Sequence, residues 1–107
     1  MDLAGDVMVF PSRSFVDCFR FAKSLGVKTT VHAGEFRCNQ SVQDVRTAVL
    51  EMEVGRIGHG YTAAWDPSTV ELFKNIHIDA CPGSAVNPDH DLLNAIWVFR
   101  QDGLNVG

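Results

Sequence analysis

The most constraining feature of this sequence is a regular alternation between amphipathic helical segments and short β-branched runs. The short runs end at His32, His59 and Cys81, which lie 27 and then 22 residues apart. Alternation at this period is typical of βαβ units, and such units build a parallel sheet. The chain is therefore predicted to be an α/β protein with parallel strands.

The spacing of apolar residues places the individual elements. Helices are predicted from Ser12 or Ser14 to Leu25, over 41–52 from an N-cap at Ser41, from Pro67 after an N-cap at Asp66, and over 91–101. Strands are predicted over 27–32, 56–60 and 76–81, with partial strands at the two ends of the chain. This pattern gives about three complete βα units, and it leaves a doubly wound sheet and a (β/α)₈ barrel both open. A complete barrel needs roughly 250 residues, so a barrel reading makes residues 1–107 a single incomplete segment of one.

Composition excludes several classes of protein. Hydrophobic content of 46% and charged content of 21% are typical of a globular chain, and a net charge of −4 offers no basic surface for nucleic acid. No signal peptide is recognisable, and no apolar run approaches the roughly 20 residues of a membrane helix. Three widely spaced cysteines cannot all pair, which favours reduced, buried thiols and a cytoplasmic protein.

Three polar residues stand where predicted strands give way to loops. His32 and Glu35 lie in the segment TTVHAGE, and His59 lies in RIGHG. In parallel α/β folds the loops after the strands form the ligand-binding face. Imidazole nitrogen is a good zinc ligand, and a carboxylate beside a metal can act as a general acid or base. Taken alone, a histidine at a strand end is more commonly a structural polar residue than a ligand, and a glutamate in a loop is more commonly a solvated charge. The spacing by itself therefore favours a structural role for these residues over a zinc site.

Four segments together resemble the adenosine deaminase family. They are DLAGD at 2–6, TVHAGE at 30–35, RIGHGY at 56–61, and ACP at 80–82 followed by Ser84. The resemblance covers nearly the whole chain and implies a partial (β/α)₈ barrel. It also implies four or five parallel strands in sequence order, helices on the outer face only, and an inner face built from residues such as Thr30 and Ile57.

The resemblance also implies an activity and roles for four residues. In that family zinc activates the water that attacks C6 of a purine nucleoside, and ammonia leaves. His32 matches a zinc ligand, Glu35 matches the acid that protonates purine N1, and His59 matches the histidine that orients or deprotonates the water. Gly5 matches a backbone contact to the purine.

The family's other zinc ligands are not found in these 107 residues. They come from an N-terminal His-x-His motif and from an aspartate that would follow Gly107. Because one imidazole holds zinc weakly, the chain alone is expected to be an inactive fragment of a zinc-dependent deaminase. Two alternatives remain: a non-catalytic α/β remnant that acts through protein contacts, and another zinc amidohydrolase. The sequence does not indicate an oligomeric state.

Overall fold

The computed structural model describes residues 1–4, 12–81 and 92–107. Five parallel strands form one sheet in the order in which they occur in the sequence. The strands are β1 (Asp2–Leu3), β2 (Thr30–Ala33), β3 (Arg56–His59), β4 (His77–Asp79) and β5 (Asn105–Val106). The predicted parallel sheet, its number of strands and its order are confirmed.

Helical segments connect the strands. They are α1 (Val16–Ser24) after a 3₁₀ turn at Ser12–Phe15, α2 (Asn39–Arg46) continued by a π-helical turn at Thr47–Glu51, α3 (Thr62–Trp65) before a 3₁₀ helix at Pro67–Phe73, and α4 (Leu92–Gln101). The short helix α3 was not predicted from the sequence. The π-helical turn is also unpredicted, and it lies where the sequence pattern indicated one continuous α-helix.

The two predicted helix caps have different outcomes. Asp66 caps the 3₁₀ helix as predicted, because its carboxylate accepts hydrogen bonds from the backbone N–H of Ser68 at 2.9 Å and from the Ser68 hydroxyl at 2.6 Å. These bonds hold the pKa of Asp66 below its usual value. The Ser41 prediction is wrong, because α2 begins at Asn39 after an extended Cys38 and Ser41 lies buried within its first turn.

The strand order determines which side of the sheet the helices occupy. Each crossover joins two neighbouring parallel strands, and such crossovers are right-handed in nearly every protein. Because the order never reverses along the sheet, successive right-handed crossovers place their helices on the same side. A doubly wound fold needs a reversal of strand order, and the described sheet contains none.

The core lies between this helical layer and one face of the sheet. Val31, Ile57 and Ile78 stand side by side in the register of β2, β3 and β4, and all three are fully buried. They belong to one apolar cluster with residues of the helical layer, which include Val16, Phe19, Val45, Ala48, Phe73, Ala95 and Phe99. Burying a side chain of this size contributes roughly 1.5–3 kcal/mol.

The opposite face of the sheet is polar. Its residues in register are Asp2, Thr30, Arg56, His77 and Asn105 in one row, and His32, Gly58 and Asp79 in the next. Thr30 lies on this face, but the expectation that Ile57 shares it is wrong. Ile57 pairs with Val31 rather than Thr30, and alternate residues of a strand point to opposite faces.

The expectation that the cysteine thiols are buried is also wrong. The cysteines are all free, as expected, but Cys18 is exposed and Cys38 and Cys81 are half-buried. Cys18 is turned away from the core because α1 buries the adjacent stripe of Val16, Phe19 and Ala22.

Within the described ranges, no helix has both the length and the apolar content needed to cross a membrane.

Candidate active site

Three potential ligands meet at the carboxyl edge of the sheet. His32 lies in β2, His59 is the last residue of β3, and Cys81 follows β4 by two residues. One nitrogen from each histidine and the sulfur of Cys81 all lie within 4.8 Å of one another. Parallel barrels build their sites at this edge, and His32 and His59 lie there side by side, as residues at the ends of neighbouring parallel strands should.

Gly58 makes room for the ring of His32. The two residues are partners in the register of β2 and β3. A Cβ atom at position 58 would lie 2.6 Å from Cδ2 and 3.0 Å from Nε2 of His32. The imidazole therefore lies directly over the glycine, with Nε2 on the side of β3. This role of Gly58 was not predicted from the sequence. The available signal was a glycine within a strand, between Ile57 and His59.

His59 ends its strand in an unusual conformation. Its φ is +69°, which side chains other than glycine rarely adopt, and the residue is only 6% exposed. This bend turns the imidazole towards β2, where its centroid lies 5.5 Å from that of His32. Gly60 follows and donates its N–H to the carbonyl of Ala33 at 3.0 Å, which ties the turn to the neighbouring strand.

Glu35 reaches the same imidazole from the loop after β2. Its Oε2 lies 3.5 Å from Nε2 of His59, and its side chain is 29% exposed. Gly34 allows the turn that brings Glu35 close to His59. Its φ is +75°, and the side chains of Val45 and Thr62 pack against it. The glutamate is thus close to a buried imidazole and still reachable by a ligand, which suits a group that transfers a proton.

Asp2 holds His32 from the other side. Its Oδ1 lies 3.2 Å from Nδ1 of His32, and both side chains are partly exposed. A carboxylate on one nitrogen of an imidazole fixes the ring and favours a lone pair on the other nitrogen, as in many metal sites. Asp2 could not be selected from the sequence alone, because this contact joins residues thirty positions apart.

Tyr61 and Cys81 close the site. The Tyr61 ring lies edge-on to His59 with centroids 5.4 Å apart, and its hydroxyl donates to the Cys81 carbonyl at 3.4 Å. Burial raises the pKa of the Tyr61 phenol above its usual value. The thiol of Cys81 donates to the carbonyl of Asp79 at 3.3 Å. Neither residue was predicted to contribute to the site.

The donor set fits a zinc ion. Imidazole nitrogen and cysteine sulfur are the preferred ligands of zinc, whereas calcium and magnesium prefer oxygen. The bond between His32 and Asp2 supplies the outer partner that metal-binding imidazoles usually have. Gly5, the expected backbone contact to the purine, lies outside the described residues.

Comparison with known proteins identifies the family. The family model for adenosine deaminase matches residues 1–90. The chain belongs to the adenosine deaminase family. This confirms the resemblance seen in the sequence motifs.

Three curated adenosine deaminases are similar to the chain. The enzyme of Erwinia tasmaniensis is 39% identical over 76% of this chain and 24% of its own length. The enzyme of Shewanella loihica is 40% identical over 78% of this chain and 25% of its own length. The enzyme of Shewanella denitrificans is 41% identical over the whole chain and 33% of its own length. The chain thus spans a quarter to a third of the length of these family members.

A solved structure shows the fold. The crystal structure of an adenine deaminase from Arthrobacter aurescens matches 98% of this chain and 33% of its own chain, with a TM-score of 0.77 and 23% identity. Together with the five-stranded parallel sheet, this match confirms the predicted fold class, a partial (β/α)₈ barrel.

Proposed function

We propose that residues 1–107 are a single incomplete barrel segment of an adenosine deaminase-like domain, and that they carry part of the active site of a zinc-dependent adenosine deaminase. The reaction is the hydrolysis of adenosine or deoxyadenosine to inosine or deoxyinosine and ammonia. The observation that carries the proposal is the contact of Glu35 with His59, next to His32, at the carboxyl edge of the sheet. The polar edge fits a small purine nucleoside rather than a nucleic acid, and the free thiols favour a cytoplasmic enzyme.

His32 is the metal ligand in this proposal, and it acts through Nε2 because Nδ1 is held by Asp2. A zinc ion bound there would lower the pKa of a coordinated water to about 7. Asp2 restrains rotation of the ring, so that the nitrogen lone pair is aimed before a metal arrives.

Glu35 and His59 move the protons. Glu35 protonates N1 of the purine, which withdraws electrons from C6 and makes that carbon more susceptible to attack. His59 orients the attacking water and accepts a proton from it. The burial of His59 between Tyr61 and His32 fixes the ring in place, so little reorganisation is needed when the water reacts. Gly5 is proposed to contact the purine through its backbone.

A chimera tests the proposal directly. The matching third of the Shewanella denitrificans relative is replaced by residues 1–107 of this chain, since the similarity covers all of it. We expect the zinc-loaded chimera to convert adenosine to inosine, measured as loss of ultraviolet absorbance and release of ammonia, with deoxyadenosine and free adenine as comparison substrates. A folded, zinc-loaded chimera that deaminates none of them would contradict the proposal.

The 107-residue chain alone is expected not to deaminate adenosine. A barrel site is built from loops after eight strands, and five strands are described here, so a bound nucleoside would stay open to water on one side. Electrostatic stabilisation is weaker when water is not excluded. The assay is the same absorbance change, with the chimera as the positive control. Turnover by the purified chain in proportion to its concentration would refute this prediction.

Gly58→Ala is expected to weaken zinc binding by the chimera by about 10–100-fold, because the new Cβ displaces the His32 ring. Gly55→Ala is the matched control, since a Cβ there meets no atom within 4 Å. Zinc affinity is measured by competition with a chromogenic chelator, and circular dichroism checks that both variants are folded. Equal zinc affinities for the two variants would show that the position of His32 over Gly58 is unimportant.

A further inference from the structure

We infer that His32, His59 and Cys81 form a three-ligand cation site that this chain can use without any other part of the enzyme. The inference deepens the proposed function, on which it rests for the identity of the cation as zinc. It differs from the roles proposed for deamination, because there His59 handles a proton and Cys81 has no part. The geometry that carries it is the mutual approach of the three ligand atoms to within 4.8 Å.

That spacing is close to what a bound ion requires. Ligands of a tetrahedral zinc at 2.0–2.3 Å lie roughly 3.3–3.8 Å apart, so closing the site needs movements of about 1 Å. Such movements lie within the range of side-chain rotation. The ring of His32 is already oriented by Asp2 on one side and by the bare surface of Gly58 on the other.

The chemistry of the three donors favours a borderline or soft cation. Two imidazoles and a thiolate select zinc, cobalt or copper over magnesium and calcium. Binding requires the Cys81 thiol to lose its proton to solvent while the imidazoles bind as neutral ligands, so one proton is released for each ion bound. The sulfur then exchanges its weak contact with the Asp79 carbonyl for a bond to the metal.

Binding of all three ligands has a consequence for function. A cation held also by His59 and Cys81 occupies the imidazole that the deamination reaction needs for proton transfer. The three-ligand state is therefore inactive in deamination, and it differs from the productive state in using Cys81.

Cobalt(II) titration of the 107-residue chain tests the inference. We expect one Co²⁺ per chain, with a near-ultraviolet charge-transfer band from the sulfur–cobalt bond and with displacement of the cobalt by Zn²⁺. Cys81→Ser should remove the band and weaken zinc binding by at least about 100-fold, since it removes a direct ligand rather than an outer partner worth 10–100-fold. His32→Ala and His59→Ala should each weaken zinc binding by a similar factor.

The other two thiols provide a matched control. The double variant Cys18→Ser and Cys38→Ser keeps Cys81 as the single cysteine and should keep the band and the affinity of the parent. A band that persists in Cys81→Ser, or that disappears in the double variant, would overturn the inference. So would a parent chain that shows no band.

X-ray absorption of the zinc-loaded parent gives a second measurement that does not depend on the folding of any variant. The expected first shell has one sulfur at about 2.3 Å and two imidazole nitrogens at about 2.0–2.1 Å. A shell without sulfur would overturn the inference. If these metal experiments fail, the prediction that the chimera is active still stands. If the chimera is inactive but the chain holds a sulfur-bound metal, the result counts against the proposed function alone.

Discussion

Replacing Glu35 by glutamine in the chimera is expected to lower the rate of adenosine deamination by about 10²–10⁴-fold and to leave zinc bound. Glutamine has nearly the same size and can still contact His59, but it carries no proton that it can give to N1 of the purine. The carboxylate is also not one of the three ligand atoms that converge at the site. The measurements are the initial rate of deamination and the zinc content of the purified variant.

Two variants separate this effect from other causes. Glu71→Gln makes the same chemical change at an exposed position of the 3₁₀ helix, and its rate should equal that of the parent. His32→Ala should lose both zinc and activity, because it removes a ligand. If Glu35→Gln retained more than half of the parental rate, or if it lost zinc as His32→Ala does, the role of Glu35 as proton donor would be wrong.

The placement of His32 and His59 could be predicted from the sequence for a simple reason. Strand ends in successive βα units lie side by side when the strands are parallel and paired in order, so a repeat length is enough to bring two residues together. No knowledge of side-chain contacts is needed. The Asp66 cap could also be predicted, for a different reason. An aspartate followed by a proline is a local signal for the start of a helix.

The faces of the strands could not be predicted in the same way. The segment Arg56–His59 is four residues long and contains a glycine, so its alternation between polar and apolar residues is too short to indicate a register. Placing Ile57 on the same face as Thr30 was an error of one position. Because neighbouring residues point to opposite faces, that error moved a core residue to the polar side.

The contributions of Asp2, Gly58 and Cys81 depend on contacts between strands. Asp2 meets His32 between the neighbouring strands β1 and β2, and Gly58 matters only because the ring of its partner lies over it. Cys81 was expected to pack as a small apolar residue, which is the commonest role of a free cysteine. Its nearness to two imidazoles follows from the order β2, β3, β4 and from its position two residues after the end of β4.

The polar character of the sheet's open face lowers the free-energy cost of leaving it exposed to water. An inner face rich in aliphatic residues would cost stability when exposed to water. The described face instead carries charged and polar groups, among them Arg56, which donates through Nε to Asp79 at 3.1 Å. The apolar core of this segment therefore lies almost entirely between the sheet and its own helices, and the stability of the chain depends on that layer.

Phe73→Ala is accordingly expected to destabilise the 107-residue chain by about 3–5 kcal/mol, the usual cost of removing a buried phenylalanine. Phe73 is fully buried at the end of the 3₁₀ helix, within the main apolar cluster. Since a domain is stable by only about 5–15 kcal/mol, the variant should be largely unfolded at moderate urea concentrations. The measurement is urea unfolding followed by circular dichroism.

Phe21→Ala is the matched control, because Phe21 is 67% exposed on α1 and its loss should change stability by no more than about 0.5 kcal/mol. Phe73 also supports the turn that holds His59, since a Cβ on Gly60 would lie 3.1 Å from Cε1 of the phenylalanine. Under conditions in which Phe73→Ala is still folded, its cobalt affinity should therefore fall, whereas that of Phe21→Ala should not. Equal urea midpoints for the two variants would mean that the layer between sheet and helices does not carry the stability of this segment.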